Sequence, residues 1–126
     1  MTRNALPTSA GPLPALREVS GHHTPVPFLL TRDMFGGIPV EFAGAEISDL
    51  VDRPVAEPHV HDTSEIYLLF SIEPGGATIT VEVEGESHTL VSPAAFYVPA
   101  GTRHRFITRS AAPGSYCFGL FVDITS

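Results

Sequence analysis

The sequence contains no lysine. Its basic residues are seven scattered arginines, and the 126-residue chain carries a formal charge of -7. An acidic chain without a basic patch lacks the electrostatic footprint that nucleic-acid binding requires, and the same deficit argues against docking on anionic membranes. Cysteine is almost as scarce. Cys117 is alone, so no intrachain disulfide can form, and its place in an apolar run suits a small buried hydrophobe in a reducing cytoplasm. No uninterrupted apolar run approaches the roughly 18–20 residues of a membrane span. The first residues, Met1-Thr2-Arg3-Asn4, lead into Pro and Gly rather than an apolar stretch, so no secretory signal is expected there. Helical periodicity is scarce too, limited to a short possibility at Leu13–Val19 and with no helix-turn-helix pattern.

What the chain does have is β-signal. The length suits one domain with a single core. Residues 1–24 are rich in Pro, Gly, Ser and Thr and read as an N-terminal arm. An arm laid across a partner subunit, and hence a homodimer, is the expectation. His22 and His23 are adjacent, would point to opposite faces of a strand, and read as loop residues. Residues 25–126 read as the barrel domain, in about nine short strands: Val26–Thr31, Ile38–Leu50 with a bulge at Gly44, Pro54–His61, Glu65–Ile72, Ala77–Glu84, Ser87–Val91, Ala94–Val98, His104–Ser110 and Ser115–Ile124. Ala77–Glu84 alternates most cleanly, Ile79, Val81 and Val83 facing in and Thr80, Glu82 and Glu84 facing water. Many short strands separated by Gly and Pro turns predict an all-β sandwich or barrel.

Chemistry concentrates in Glu57-Pro58-His59-Val60-His61-Asp62-Thr63-Ser64-Glu65. Residues two apart on a strand share a face, so His59 and His61 can aim at one point. Asp62-Thr63-Ser64 has turn composition, and Glu65 opens the following strand, where its carboxylate can return beside them. Two imidazoles and a carboxylate are a ligand set for a divalent metal with open positions. Strand parity sends Glu57, Tyr67, Leu69 and Phe106 inward and Arg103 and Arg105 outward. Arg32 and Arg53 read as surface residues.

A second segment, Phe96-Tyr97-Val98-Pro99-Ala100-Gly101-Thr102-Arg103-His104, carries a tight turn followed by a histidine. Together HxHxxxE and PxGxxH resemble the paired motifs of the cupin superfamily, over roughly residues 53–108. The resemblance implies an antiparallel jelly-roll barrel, a double-stranded β-helix, holding one metal through His59, His61, Glu65 and His104. The chain departs from the usual pattern at turns and strand ends: Arg53, Ile72 and Pro93 stand where glycines are usual, and Thr108 where an asparagine is. None of these is a metal ligand. Four protein donors leave roughly two positions of an octahedral ion open. Iron(II) comes first, with manganese, nickel, cobalt or zinc as alternatives. The resemblance thus implies a metal-dependent oxygenase (a dioxygenase) acting on a small-molecule substrate, with Glu65 as ligand and proton acceptor and Tyr67 as hydrogen-bond donor or acid/base group. A redox-neutral lyase, isomerase, decarboxylase or cyclase, or a non-catalytic ligand-binding module, is the alternative.

Overall fold

Glycine and proline turns cut the chain into strands of five to eight residues through most of its length. The computed structural model describes residues 15–19 and 21–122. Its strands are β1 (Ala15–Arg17), β2 (Val26–Leu30), β3 (Val40–Glu46), β4 (Ser64–Phe70), β5 (Ala77–Val83), β6 (Glu86–Val91), β7 (Ala94–Val98), β8 (His104–Ala111) and β9 (Tyr116–Val122), with 3-10 turns at Met34–Gly36 and Ser48–Leu50. They form two sheets, one in the order β1-β2-β3-β9-β4-β7 and the other β6-β5-β8, and every named strand pair is antiparallel. No described helix is long and apolar enough to cross a membrane.

The core lies between the sheets. β5 supplies Ile79 and Val81, both fully buried, with Val83 packed at the margin; Tyr67 and Leu69 of β4 and Cys117 of β9 face them from the larger sheet. The alternation in Ala77–Val83 therefore marks the buried face as expected. On the larger sheet, the face turned away from the core is apolar as well. Phe70 and Tyr97 are 57% and 50% exposed, and Phe42, Phe118 and Tyr116 stack along the same surface at ring separations of 4.9 and 5.7 Å.

Four elements differ from expectation. The short helix over Leu13–Val19 is not formed: within its described part, Ala15–Arg17 is an edge strand paired with β2 on the same chain. The long strand from Ile38 to Leu50 is shorter, because the Glu46 carboxylate accepts hydrogen bonds from the Ser48 backbone N–H (2.9 Å) and hydroxyl (2.8 Å) and turns the chain into the 3-10 segment. Gly44 makes no bulge in the unbroken β3–β9 register; it permits close approach, since a Cβ there would fall 2.7 Å from the Phe118 Cα. The register shift lies instead between Phe28 and Leu30 of β2. Finally, Pro54–His61 is not a strand. Proline lacks the N–H that a ladder needs, and Pro54 and Pro58 leave only isolated bridges at Ala56 and His59.

Candidate metal centre

Although Pro54–His61 is irregular, long-range backbone bonds fix its histidines. The His59 N–H donates to the His104 carbonyl (3.0 Å) and the His104 N–H donates to the His59 carbonyl (2.8 Å). Residues that exchange both bonds in an antiparallel pair carry their side chains on one face. The Gly101 N–H donates to the His61 carbonyl at 2.8 Å, so the turn before β8 clamps the second histidine too. The HxH segment is thus tied by two backbone bonds to His104 at the start of β8 and by one to the turn before it, all far apart in sequence. The rings converge: centroids are separated by 4.7 Å for His59–His61, 4.8 Å for His59–His104 and 5.0 Å for His61–His104. Their ligand nitrogens lie within 4.8 Å of one another, a group that could hold a metal ion.

Outer contacts orient two of the imidazoles. His59 Nδ1 is 2.7 Å from the Glu57 carbonyl, and His104 Nδ1 is 2.8 Å from the Thr102 carbonyl. A carbonyl only accepts, so each Nδ1 carries its hydrogen and each Nε2 offers its lone pair, the arrangement of a metal-ligating histidine. Glu65 approaches from β4, with Oε1 at 2.9 Å from His104 Nε2 and 3.6 Å from His61 Nε2. Gly119 on the neighbouring strand makes the space. A Cβ there would sit 3.2 Å from the Glu65 Cδ and collide with Oε2.

The electrostatics suit a cation. Burial, reinforced by His59, His104 and His22, lowers the His61 pKa to about 4, and burial is also the main cause lowering His59. At His104 burial acts downward, but the hydrogen bonds to Glu65 and Thr102 outweigh it and the pKa is raised. Its Nε2 lone pair and the Glu65 carboxylate are both acceptors at hydrogen-bond distance, so a proton or a metal ion must lie between them. The donor set therefore fits a divalent ion on its own geometry.

Beside the cluster is a cavity of about 210 Å³ with Ala45, Ile47, Phe106, Cys117 and Phe121 among its lining. Tyr67 also lines it, its ring 5.5 Å from that of Phe106 and 6.1 Å from that of His104. Burial chiefly, with Glu65 and Cys117, raises the Tyr67 pKa well above 10, so the phenol can donate a hydrogen bond but is no base near neutrality. Burial likewise keeps Cys117 a protonated thiol.

Other candidates lie elsewhere. Glu57 does not point inward. Off a regular strand parity fails, and its carboxylate is exposed, 3.4 Å from His23 Nε2. Arg53 donates to the Asp49 carbonyl at the surface (3.3 Å), and Arg32 is exposed. Arg105 is at the cavity margin, bound to Glu82 at 2.7 Å. His88 packs on Phe96 with ring centroids 5.1 Å apart. Two residues of the site were not expected. Gly119 could have been suspected as a lone glycine inside an apolar strand. His22 gave no local signal, yet its ring lies 4.7 Å from His59 and lines the cavity.

No family model and no curated protein matches the sequence. Solved structures do. A Cupin 2 conserved barrel domain protein from Salinispora arenicola is 17% identical, with a TM-score of 0.60 over 96% of this chain and 92% of that one. A cupin protein from Bacteroides fragilis is 16% identical, with a TM-score of 0.60 over 88% and 86%. FeII HppE is 15% identical, with a TM-score of 0.55 over 79% of this chain, which spans 49% of that longer chain. At these identities the likeness concerns architecture, and it agrees with the antiparallel sheets and with the two motifs meeting at one histidine cluster: the chain has the cupin fold, an all-β jelly-roll barrel.

Proposed function

We propose that the chain is a metal-dependent enzyme of cupin type acting on a small molecule, and an oxygenase (a dioxygenase) first. The observation that carries this reading is the convergence of His59, His61 and His104, with the Glu65 carboxylate on His104, beside an apolar cavity. His59, His61, Glu65 and His104 would hold one divalent ion, iron(II) foremost. Manganese, nickel, cobalt and zinc suit the same donors, and the iron(II) named for HppE supports the first choice. When bound, the ion supplies Lewis acidity and open positions for an oxygen pair of the substrate or for dioxygen.

The chain's own residues do the rest. The apolar wall excludes water, the buried Tyr67 hydroxyl donates a hydrogen bond toward the bound molecule, and Glu65 accepts a proton if it leaves the ion. A neutral phenol facing a carboxylate is also the pair that a redox-neutral lyase, isomerase, decarboxylase or cyclase uses to move a proton. Oxygen uptake by the iron(II)-loaded protein across candidate substrates separates the two. The oxygenase reading predicts dioxygen consumed in step with substrate. Substrate turned over equally well without dioxygen contradicts it and leaves the redox-neutral reading.

The partner is a second copy of the chain. The exposed outer face of the larger sheet, from Phe70 and Tyr97 to Tyr116, is apolar in an otherwise acidic chain and can meet itself across a twofold axis. Sedimentation should give a dimer that Phe70→Ser with Tyr97→Ser dissociates; a monomeric parent protein contradicts this.

A further inference from the structure

The chain before β2 builds one wall of the site. The His22 N–H donates to the Val19 carbonyl (3.0 Å), and around the bridge between His22 and Ala56 the His23 N–H donates to the Val55 carbonyl (3.0 Å) while the Glu57 N–H donates to the Gly21 carbonyl (2.8 Å). Gly21 has φ +86°, and a Cβ there would lie 3.3 Å from that of His59. A glycine thus lets this strap close directly on a residue of the metal centre. His22 lines both the inner cavity and an outer cleft formed with Glu18, Val19 and His23. Thr24 and Pro25 border both as well.

We infer that His22 is a specificity-determining residue: its imidazole hydrogen-bonds a polar group of the substrate next to the oxygen pair that the metal would bind. The substrate class this implies is a small, mainly apolar molecule with a chelating oxygen pair and one hydrogen-bonding group beside it. A molecule in the cavity meets an apolar wall, the centre with Tyr67, and the His22 ring. A ring held 4.7 Å from that of His59 reaches the chelating end of the substrate. A buried, satisfied hydrogen bond adds little net affinity, but leaving its partner unmatched is costly, which is how one such residue selects among substrates.

The inference rests on the metal-centre reading, and its test separates the two. Cobalt(II)-loaded protein is titrated with acetohydroxamate, a small oxygen-pair chelator whose N–H adjoins the chelating oxygens, and the visible spectrum is followed. Metal content is measured first in the unaltered protein, His22→Phe and His22→Gln. All three are expected to hold cobalt equally. His22→Phe, which keeps a ring against His59, should bind the hydroxamate about fivefold to tenfold more weakly, whereas His22→Gln, which keeps a hydrogen-bonding group, should stay within about twofold of the unaltered protein. Equal affinities in all three, or weakening in His22→Gln with none in His22→Phe, would overturn the role and leave His22 as packing. Loss of cobalt from both variants also overturns it, making His22 part of the ion's own support. Failure of the unaltered protein to bind cobalt overturns the metal-centre reading itself.

Discussion

β5 and the segment 51–63 both lie against the barrel interior, yet they are held in opposite ways. β5 pairs on both sides, with β6 and with β8, and its inward residues Ala77, Ile79 and Val81 are fully buried. The segment 51–63 has isolated bridges at Val51, Ala56 and His59 and backbone bonds reaching from Gly21, Gly101, His104 and Thr108. One is stable because its sequence pattern fits a two-faced sheet. The other owes its shape to the elements around it, and it carries two of the three clustered imidazoles. Burial sets the stability of this barrel, whereas two of the three clustered imidazoles sit where regular pairing is interrupted, so that their side chains can turn to a common point with His104.

Mutations should therefore separate the two roles. His59→Ala is expected to have the largest functional effect, lowering metal affinity by more than the roughly 10–100-fold that loss of an outer partner costs, with the unfolding midpoint of metal-free protein little changed. Isothermal titration and denaturant melts check this, and a large drop in metal-free stability would break the contrast. Ile79→Ala in β5 should do the converse. It should cost about 2–5 kcal/mol in urea unfolding with metal stoichiometry intact. Gly119→Ala tests whether the larger sheet shares in the site. Displacement of Glu65 should reduce metal affinity about 10–100-fold, and unaltered affinity would remove Glu65 from the account.

The smallest effect expected is on pH dependence. His61 has its pKa lowered from 6.5 to about 4. Between those values the unfolded chain binds a proton that the folded chain refuses, so stability falls on acidification from about pH 6.5 to 4. His104 is raised above 6.5, so its contribution is complete below that value and is lost as pH rises through the folded pKa. Metal-free protein should therefore be most stable near pH 6.5, and His61→Asn should flatten the acid limb. An unchanged acid limb in that variant would show that His61 is not held neutral.

The sequence carried the regular part of this structure and the ends of its motifs. Alternation in Ala77–Val83 needs only local chemistry to be read; His59, His61 and Glu65 stood out by spacing, and His104 through the resemblance of the paired motifs. The parity argument failed at Glu57, where prolines remove ladder donors and the chain leaves the strand conformation. Gly119 and His22 were hidden for a different reason. Their importance lies in what they face across the fold, a carboxylate from β4 and a ring of the segment 51–63, and no local pattern encodes such a contact.

The central claim is that three imidazoles and Glu65 form one metal site, and elemental analysis of untagged protein tests it most directly. About one iron, manganese, nickel, cobalt or zinc ion per chain is expected in the unaltered protein and in Ile79→Ala, and almost none in His59→Ala or His104→Ala. Folded protein that stays metal-free after reconstitution with each of these ions, or that keeps its metal when His59 and His104 are both replaced, would contradict the account.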